Sequence, residues 1–239
     1  MIVRRIHLAP ERIDGARGLL GPEARRYLAD VLRLAPGARI EVFDGRGGRY
    51  DARIEEGFEA VRLGPREDMP APEVEIALLA ALAKGEKMDL VVQKATELGV
   101  ARILPFAADR SVVRLDASRG EERAARWRRI AEEAARQSGR TDVPEVRPPV
   151  PLAQALADLA PGTRAFVFHP GGGRVDAGAA ASLAAVVGPE GGLTEAELRD
   201  CEAAGALRAS LGPRTLRAET AAIVAVALLQ ARFGDLEVP

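Results

Sequence analysis

The chain has 239 residues, 47% of them hydrophobic, which is enough to bury a core in one large domain or two smaller ones. Its 34 Lys and Arg residues nearly balance 35 Asp and Glu, so a net charge of −1 excludes a globally basic nucleic-acid binder, though not a local basic patch. A single cysteine excludes an intrachain disulfide and a cysteine-rich metal site, and the two histidines, His7 and His169, are too distant in sequence to suggest zinc.

Residues 1 to about 70 have a rhythm of their own. Val3 to Leu8 reads as a strand. Pro22 to Leu34 has helical spacing, with Tyr27, Leu28, Val31 and Leu32 on one side. Arg39 to Phe43 alternates as a strand, Asp44 to Gly48 supplies a glycine turn, and Tyr50 to Ile54 and Glu59 to Leu63 continue as short strands. Short strands, glycine turns and one helix predict a small β-barrel-like domain. Arginines are dense here (Arg4, Arg5, Arg25, Arg26, Arg33, Arg46, Arg49), with acids nearly balancing them.

Gly64 to Pro72, with three prolines among charges, reads as a linker. Beyond it the pattern changes. Val74 to Ala83 is a continuous apolar run, as in a strand buried on both faces. Glu86 to Leu98 is a helix stopped by Gly99, and Ala101 to Phe106 a further strand. Glu121 to Ser138 is a helix whose apolar stripe runs through Ala124, Trp127, Ile130 or Ala131, and Ala134. Leu152 to Leu159 is a shorter helix; Arg164 to Phe168 and Leu183 to Val187 are strands. This alternation predicts an α/β domain with a mainly parallel sheet covered on both sides. Cys201 falls in a helical pattern and reads as a buried, inert thiol.

Two loops near the C-terminal end carry the chemistry. Gly188-Pro189-Glu190-Gly191-Gly192 lies between a strand and the helix opened by Thr194-Glu195-Ala196-Glu197, whose spacing is that of a capping box; that helix runs to about Ala204 and stops at Gly205. Leu211 to Ala221 opens the last helix, which is apolar all round over Ala221 to Leu229 and should be buried on most sides, inside the fold or in a subunit interface. Ligands of open α/β sheets collect at the carboxyl ends of strands, so these loops read as a nucleotide-like cofactor pocket; the alternative for Gly188 to Gly192 is an ordinary tight turn with a glycine pair. Neither a Walker loop nor a Gly-x-Gly-x-x-Gly fingerprint is present, and Glu190 would repel a polyphosphate. Arg214 and Arg217 flank a helix start, where cations are mildly disfavoured. Either they serve function or they pair with surface acids, while Glu219 and Thr220 cap the helix.

Val-Gly-Pro-Glu-Gly-Gly-Leu-Thr-Glu-Ala-Glu (187–197) and Leu-Gly-Pro-Arg-Thr-Leu-Arg-Ala-Glu-Thr-Ala (211–221) resemble the RsmE family, 16S ribosomal RNA uridine-N3 methyltransferases of the SPOUT superfamily. Gln93 to Val100, Arg110-Ser111, the run from Arg126-Trp127 to Arg140, and Val31-Leu32-Arg33 with Gly37 also fit, so the resemblance spans the chain. The family often has a histidine before Val-Leu-Arg; Tyr27 stands near that place here.

The resemblance implies a PUA-like RNA-binding barrel over residues 1–69 and a SPOUT methyltransferase domain with a trefoil knot over 70–239. It implies S-adenosylmethionine as cofactor, bent among three loops: Phe168-His169-Pro170; Gly188, Pro189, Glu190, Gly191 and Gly192; and Leu211, Gly212, Leu216, Thr220 and Ala221. In this reading Arg217 stabilises the anion formed when uracil N3 loses its proton. Glu219 is either a base for that proton or a helix cap, and His169 either a second base or a packed side chain. RNA contacts are expected from Arg26, Arg33, Arg110, Arg126 and Arg140, with Arg123, Arg128 and Arg129 on the helix of Arg126. The expected partners are 16S ribosomal RNA or the small ribosomal subunit and a second copy of the chain. No metal, no membrane and a cytoplasmic location are expected. The alternatives are a SPOUT enzyme acting on a ribose 2′-hydroxyl or a tRNA guanine, an RNA-binding module without catalysis, and a metabolic α/β enzyme.

Overall fold

The computed structural model describes residues 4–111 and 117–237. Val3, the start of the first predicted strand, lies outside them. Two compact units are present. The chain up to Ala71 with Ala135–Val143 forms the first; Pro72–Ala134 and the chain from Pro144 onward form the second.

The first unit is built on a sheet of β1 (Arg5–His7), β2 (Ile13–Asp14), β3 (Arg17–Leu19), β4 (Arg39–Phe43), β5 (Gly48–Ile54), β6 (Ala60–Leu63) and β7 (Glu67–Asp68). Their order is β1-β4-β5-β6-β3-β2, with β7 also on β5; β1 runs parallel to β4 and the other pairs are antiparallel. Alternation makes the core: Ile40, Val42, Tyr50, Ala52, Ile54, Val61 and Leu63 turn inward onto Ile6, Leu8, Leu20 and Leu28. The β2–β3 hairpin turns at Gly15 (φ 54°), and its strands are too short for periodicity to betray.

The predicted helix over 22–34 divides into α1 (Pro22–Arg26) and a π-helical turn over Tyr27–Val31, where Leu32 N–H donates to Tyr27 C=O at 2.9 Å. The wider turn breaks the predicted stripe: Leu28 is fully buried but Val31 is 63% exposed. Arg33 leaves the segment in the left-handed region (φ 51°).

The linker also differs from expectation, because Glu67–Asp68 joins the sheet opposite Arg49 and Gly48. Buried Asp44 organises this corner. Its carboxylate accepts from Arg46 N–H and Gly48 N–H, both at 2.8 Å, and from Arg66 Nε at 2.9 Å. Burial pushes its carboxyl up, but these donors outweigh burial and hold it below its ordinary value.

The second unit is a parallel sheet of β8 (Glu75–Ala81), β9 (Arg102–Ala107), β10 (Glu145–Val146), β11 (Val150–Pro151), β12 (Arg164–Gly173), β13 (Ser182–Val187) and β14 (Leu207–Ala209), ordered β10-β9-β8-β13-β12-β14 with β11 also on β9. Its helices are α2 (Lys87–Glu97), α3 (Ala117–Ser138, of which residues 135–138 belong to the first unit), α4 (Leu152–Ala157), α5 (Glu195–Ala203) and α6 (Ala218–Phe233). One sheet face packs Leu79, Leu104, Val167, Ala184 and Val186 against Leu152 and Leu156 of α4 and Leu198 and Cys201 of α5. Helix α6 packs against β8, β13 and α2. Burial on both faces explains the apolar run of β8. The Cys201 thiol is buried, and desolvation pushes it up to about 11, as an inert thiol requires.

Gly99 ends α2 as predicted (φ 82°). There the buried Gln230 of α6 donates from Nε2 to Leu98 C=O at 2.8 Å, satisfying a carbonyl that the helix leaves free. Helix α6 is not covered all round. Val224 is 38% exposed, and Ile223, Ala227 and Leu228 are half-buried.

Candidate active site

Register builds the site. Phe168 of β12 lies opposite Val187 of β13 on one side and Ala209 of β14 on the other. Three parallel strands therefore release their chains side by side, at His169, Gly188 and Ser210. The loop after Phe168 is shorter than an independent connection. Gly173 pairs with the same Ala209, so residues 169–172 bulge out from β12 and return. A Cβ on Gly172 would stand 2.4 Å from the Ala209 backbone, so the return requires glycine. Ser210 N–H then donates to Gly173 C=O at 2.9 Å.

These loops surround a cavity of about 320 Å³. Its wall brings together Phe168, His169, Gly188, Pro189, Glu190, Gly191, Gly192, Leu211, Gly212, Leu216 and Ala221, together with Arg110 and Arg214. Thr220 is exposed and Arg217 stands at the N-cap of α6; neither lines the cavity. Gly192 (φ 69°) closes its turn by donating to Pro189 C=O at 2.8 Å, and Gly212 (φ 101°) donates to Ser210 Oγ at 3.1 Å.

Glu197 anchors the second loop from behind. The capping box with Thr194 is present, with Thr194 N–H to Glu197 Oε2 at 2.7 Å and Glu197 N–H to Thr194 Oγ1 at 3.2 Å. The other carboxylate oxygen accepts from Asp109 N–H at 2.8 Å, which ties the end of β9 to the start of α5. Arg110 Nη1 then donates to Gly191 C=O at 3.1 Å. Arg110, expected on RNA, also stands in the cavity wall.

The electrostatic centre is Lys87, which sequence reasoning passed over. Its Nζ lies 2.6 Å from Glu190 Oε1 and 3.5 Å from Glu219 Oε2. The hydrogen bond from Lys87 holds the Glu190 carboxyl below its ordinary value, and the same bond raises the Lys87 ammonium. Glu190 therefore does not face the cavity as an unpaired acid, and repulsion of phosphate loses the force that the sequence alone gave it. Two carboxylates against one ammonium still leave one acid in excess.

Glu219 does not cap α6. The helix begins at Ala218 with Arg217 as N-cap and no side-chain cap bond, so Glu219 sits in the first turn and reaches to Lys87. Its Oε2 is buried and, among the described residues, has no hydrogen-bond donor, Lys87 standing at the distance limit. Nor do the arginines find surface acids: among the described residues, neither Arg214 nor Arg217 has an ion-pair partner. His169 Nδ1 lies 2.8 Å from Pro170 C=O, which fixes that nitrogen as the donor and leaves Nε2 to accept when the ring is neutral.

Comparison with known proteins now gives the family. The RNA methyltransferase domain family matches residues 70–230, and the RNA methyltransferase PUA domain family matches residues 20–63. Ribosomal RNA small subunit methyltransferase E of Mycobacterium bovis is 32% identical over 225 residues, covering 90% of this chain and 83% of that one. The chain belongs to the ribosomal RNA small subunit methyltransferase E family. The Bacillus subtilis member is 37% identical over 167 residues, covering 65% of each chain. The crystal structure of the Neisseria gonorrhoeae member bound to S-adenosyl methionine superposes with a TM-score of 0.87 at 32% identity, covering 98% of this chain and 99% of that one. The first unit of this methyltransferase thus has the PUA-like sheet, and the second the SPOUT-type parallel sheet.

Of the remaining arginines expected on RNA, Arg26, Arg33 and Arg140 belong to the first unit and Arg126 to the second. Arg26 is exposed on α1 and Arg33 exposed just beyond the π turn. Arg126 is ion-paired with Asp89, and Arg140 with Asp142. Among the described residues no group of three or more His, Cys, Asp or Glu could hold a metal, and no helix is long and apolar enough to cross a membrane.

Proposed function

We propose that this chain transfers a methyl group from S-adenosylmethionine to N3 of a uridine in the RNA of the small ribosomal subunit. The observation that carries the reading is the cavity at three aligned strand ends, with loop backbone on its walls and an acid in excess behind it. The cofactor fits what is there. The volume is in the range of small-ligand sites, and Phe168, Leu211, Leu216 and Ala221 offer an apolar slot. Glu190 in the wall, backed by the excess acid of its cluster with Lys87 and Glu219, suits a cationic ligand. When bound, S-adenosylmethionine supplies an electrophilic methyl on a positive sulfur.

The residues then divide the work. Gly188, Gly191, Gly192 and Gly212 let the backbone approach the cofactor closely. The Lys87–Glu190–Glu219 cluster holds the second loop to the start of α6. Uracil N3 must lose its proton, which spreads negative charge over N3 and the two ring carbonyls. Arg217 stabilises that charge from the mouth of α6, and Arg214 stands nearer, in the cavity wall. His169 stands in the cavity wall with Nε2 placed to accept and is the base of choice; Glu219, outside that wall with its unsatisfied oxygen buried, is the second candidate.

The domain division near residue 70, the trefoil knot and the homodimer belong to this reading. The half-exposed apolar side of α6, with Ile223, Val224, Ala227 and Leu228, supports a second copy as its cover.

The test is label transfer from methyl-labelled S-adenosylmethionine to purified small and large ribosomal subunits that lack this modification. Label in small-subunit RNA alone is expected. Label in neither, with no measurable cofactor binding, would remove the enzyme reading.

A further inference from the structure

Strand register on the outer face of the first unit brings four arginines into one line. Arg39 of β4 lies opposite Arg53 of β5, Arg53 opposite Arg62 of β6, and Arg62 opposite Arg17 of β3. Their strand neighbours Ile40, Ala52, Ile54, Val61, Leu63 and Gly18 are buried, so alternation turns all four arginines outward, where all four are exposed. With strands about 4.8 Å apart, the line crosses roughly 14 Å of surface.

Like charges directly opposite one another weaken a sheet. Neighbouring acids relieve only part of this line. Arg17 is paired with Glu55 at 2.9 Å, and Arg53 donates to Gly37 C=O at 3.0 Å. Among the described residues, the side chains of Arg39 and Arg62 have neither a hydrogen bond nor an ion pair. Arg39, Arg53 and Arg62 also line a depression of about 270 Å³, in which Asp51 is the one acid.

We propose that this line grips consecutive phosphates of the RNA substrate. The inference rests on the RNA reading above and adds a surface that none of Arg26, Arg33, Arg110, Arg126 or Arg140 belongs to. A guanidinium fork matches a phosphate in shape and charge. Nothing in the line reads a base edge, so its role is affinity and orientation, not sequence. An acidic peptide fits less well. It would need apolar purchase beside its charges, and the apolar residues of the depression, Ile40, Ala52 and Leu63, are already buried in the core.

The experiment measures binding of a labelled single-stranded RNA by anisotropy across a salt series, for the wild type and Arg39→Gln/Arg62→Gln. Each lost phosphate contact flattens the salt slope by about 0.7 and weakens binding about fivefold at 0.1 M salt. The double variant should therefore lose about 1.4 from the slope and about 25-fold in affinity. Its melting temperature should hold or rise as charge repulsion is relieved, and S-adenosylmethionine binding should not change. Arg39→Lys/Arg62→Lys should keep the slope, which a packing role for these side chains would not predict. An unchanged slope in the Gln variant, with RNA binding intact in the wild type, overturns the arginine line alone. No RNA binding by the wild type overturns the line and the RNA reading together. Poly-glutamate binding the wild type more tightly than RNA, and losing that binding in the Gln variant, overturns it in favour of an acidic protein partner.

Discussion

In the second unit charge gathers where strands end; in the first it gathers across strands. Lys87, Glu190 and Glu219 come from two helix starts and a loop, and they meet because a parallel sheet delivers its chain exits to one edge. The one ammonium pairs with both carboxylates and leaves a single acid in excess. Arg39, Arg53, Arg62 and Arg17 come from four neighbouring antiparallel strands and meet because the register of each pair repeats in the next. They do not compensate one another. The first arrangement backs a cavity for a small molecule. The second makes an open surface whose charge is left for a larger partner.

Five substitutions sharpen this contrast. The largest effect is expected at the mouth of α6. Arg217→Ala should lower the rate of methyl transfer by about 10²–10³-fold while S-adenosylmethionine affinity, read by calorimetry, stays within a few-fold. Equal loss of both would make Arg217 a cofactor residue. Arg214→Ala run alongside decides which guanidinium serves the base, since Arg214 lines the cavity and Arg217 does not.

Gln230→Ala probes the closed packing of the second unit. It leaves Leu98 C=O without its donor and should cost about 1–3 kcal/mol in denaturant unfolding. Asp44→Asn probes the first unit. The native carboxyl lies below its ordinary value, so the stability it confers is present above the unfolded pKa of about 4 and is lost as pH falls through the native one. The variant should be less stable at neutral pH and show a flatter loss in acid; an unchanged acid limb would remove Asp44 from the account. The smallest effect is local. In Lys87→Met, the Glu190 carboxyl should return upward to the ordinary carboxylate range, followed by NMR titration of its side-chain carbon.

The same contrast decides what was legible in the sequence. Strands of the second unit are buried on both faces, so each of β8, β12 and β13 appears as a bare apolar run. The glycine loops after them announce the cavity. The capping box at Thr194 could be read to the residue, because its signal is local. Lys87 could not be read. It lies 103 residues from Glu190 and 132 from Glu219, and only the fold of the second unit joins them. A lysine among 31 arginines was the one available hint. In the first unit the helix over 22–34 had the right residues but the wrong period, because one π turn shifts every side chain after it. The arginine line was hidden for another reason. Each arginine is an unremarkable outward residue of its own strand, and the line exists only in the register between strands.

The most direct measurement is the identity of the methylated nucleoside. Small subunits lacking the modification would be incubated with the enzyme and S-adenosylmethionine, and their RNA digested and resolved by mass spectrometry with fragmentation. N3-methyluridine, with the methyl on the base fragment, is the predicted product. A methyl on the ribose fragment would contradict the account: the cavity and its cofactor would stand, but the anion-stabilising arginines at the mouth of α6 would have no uracil to serve.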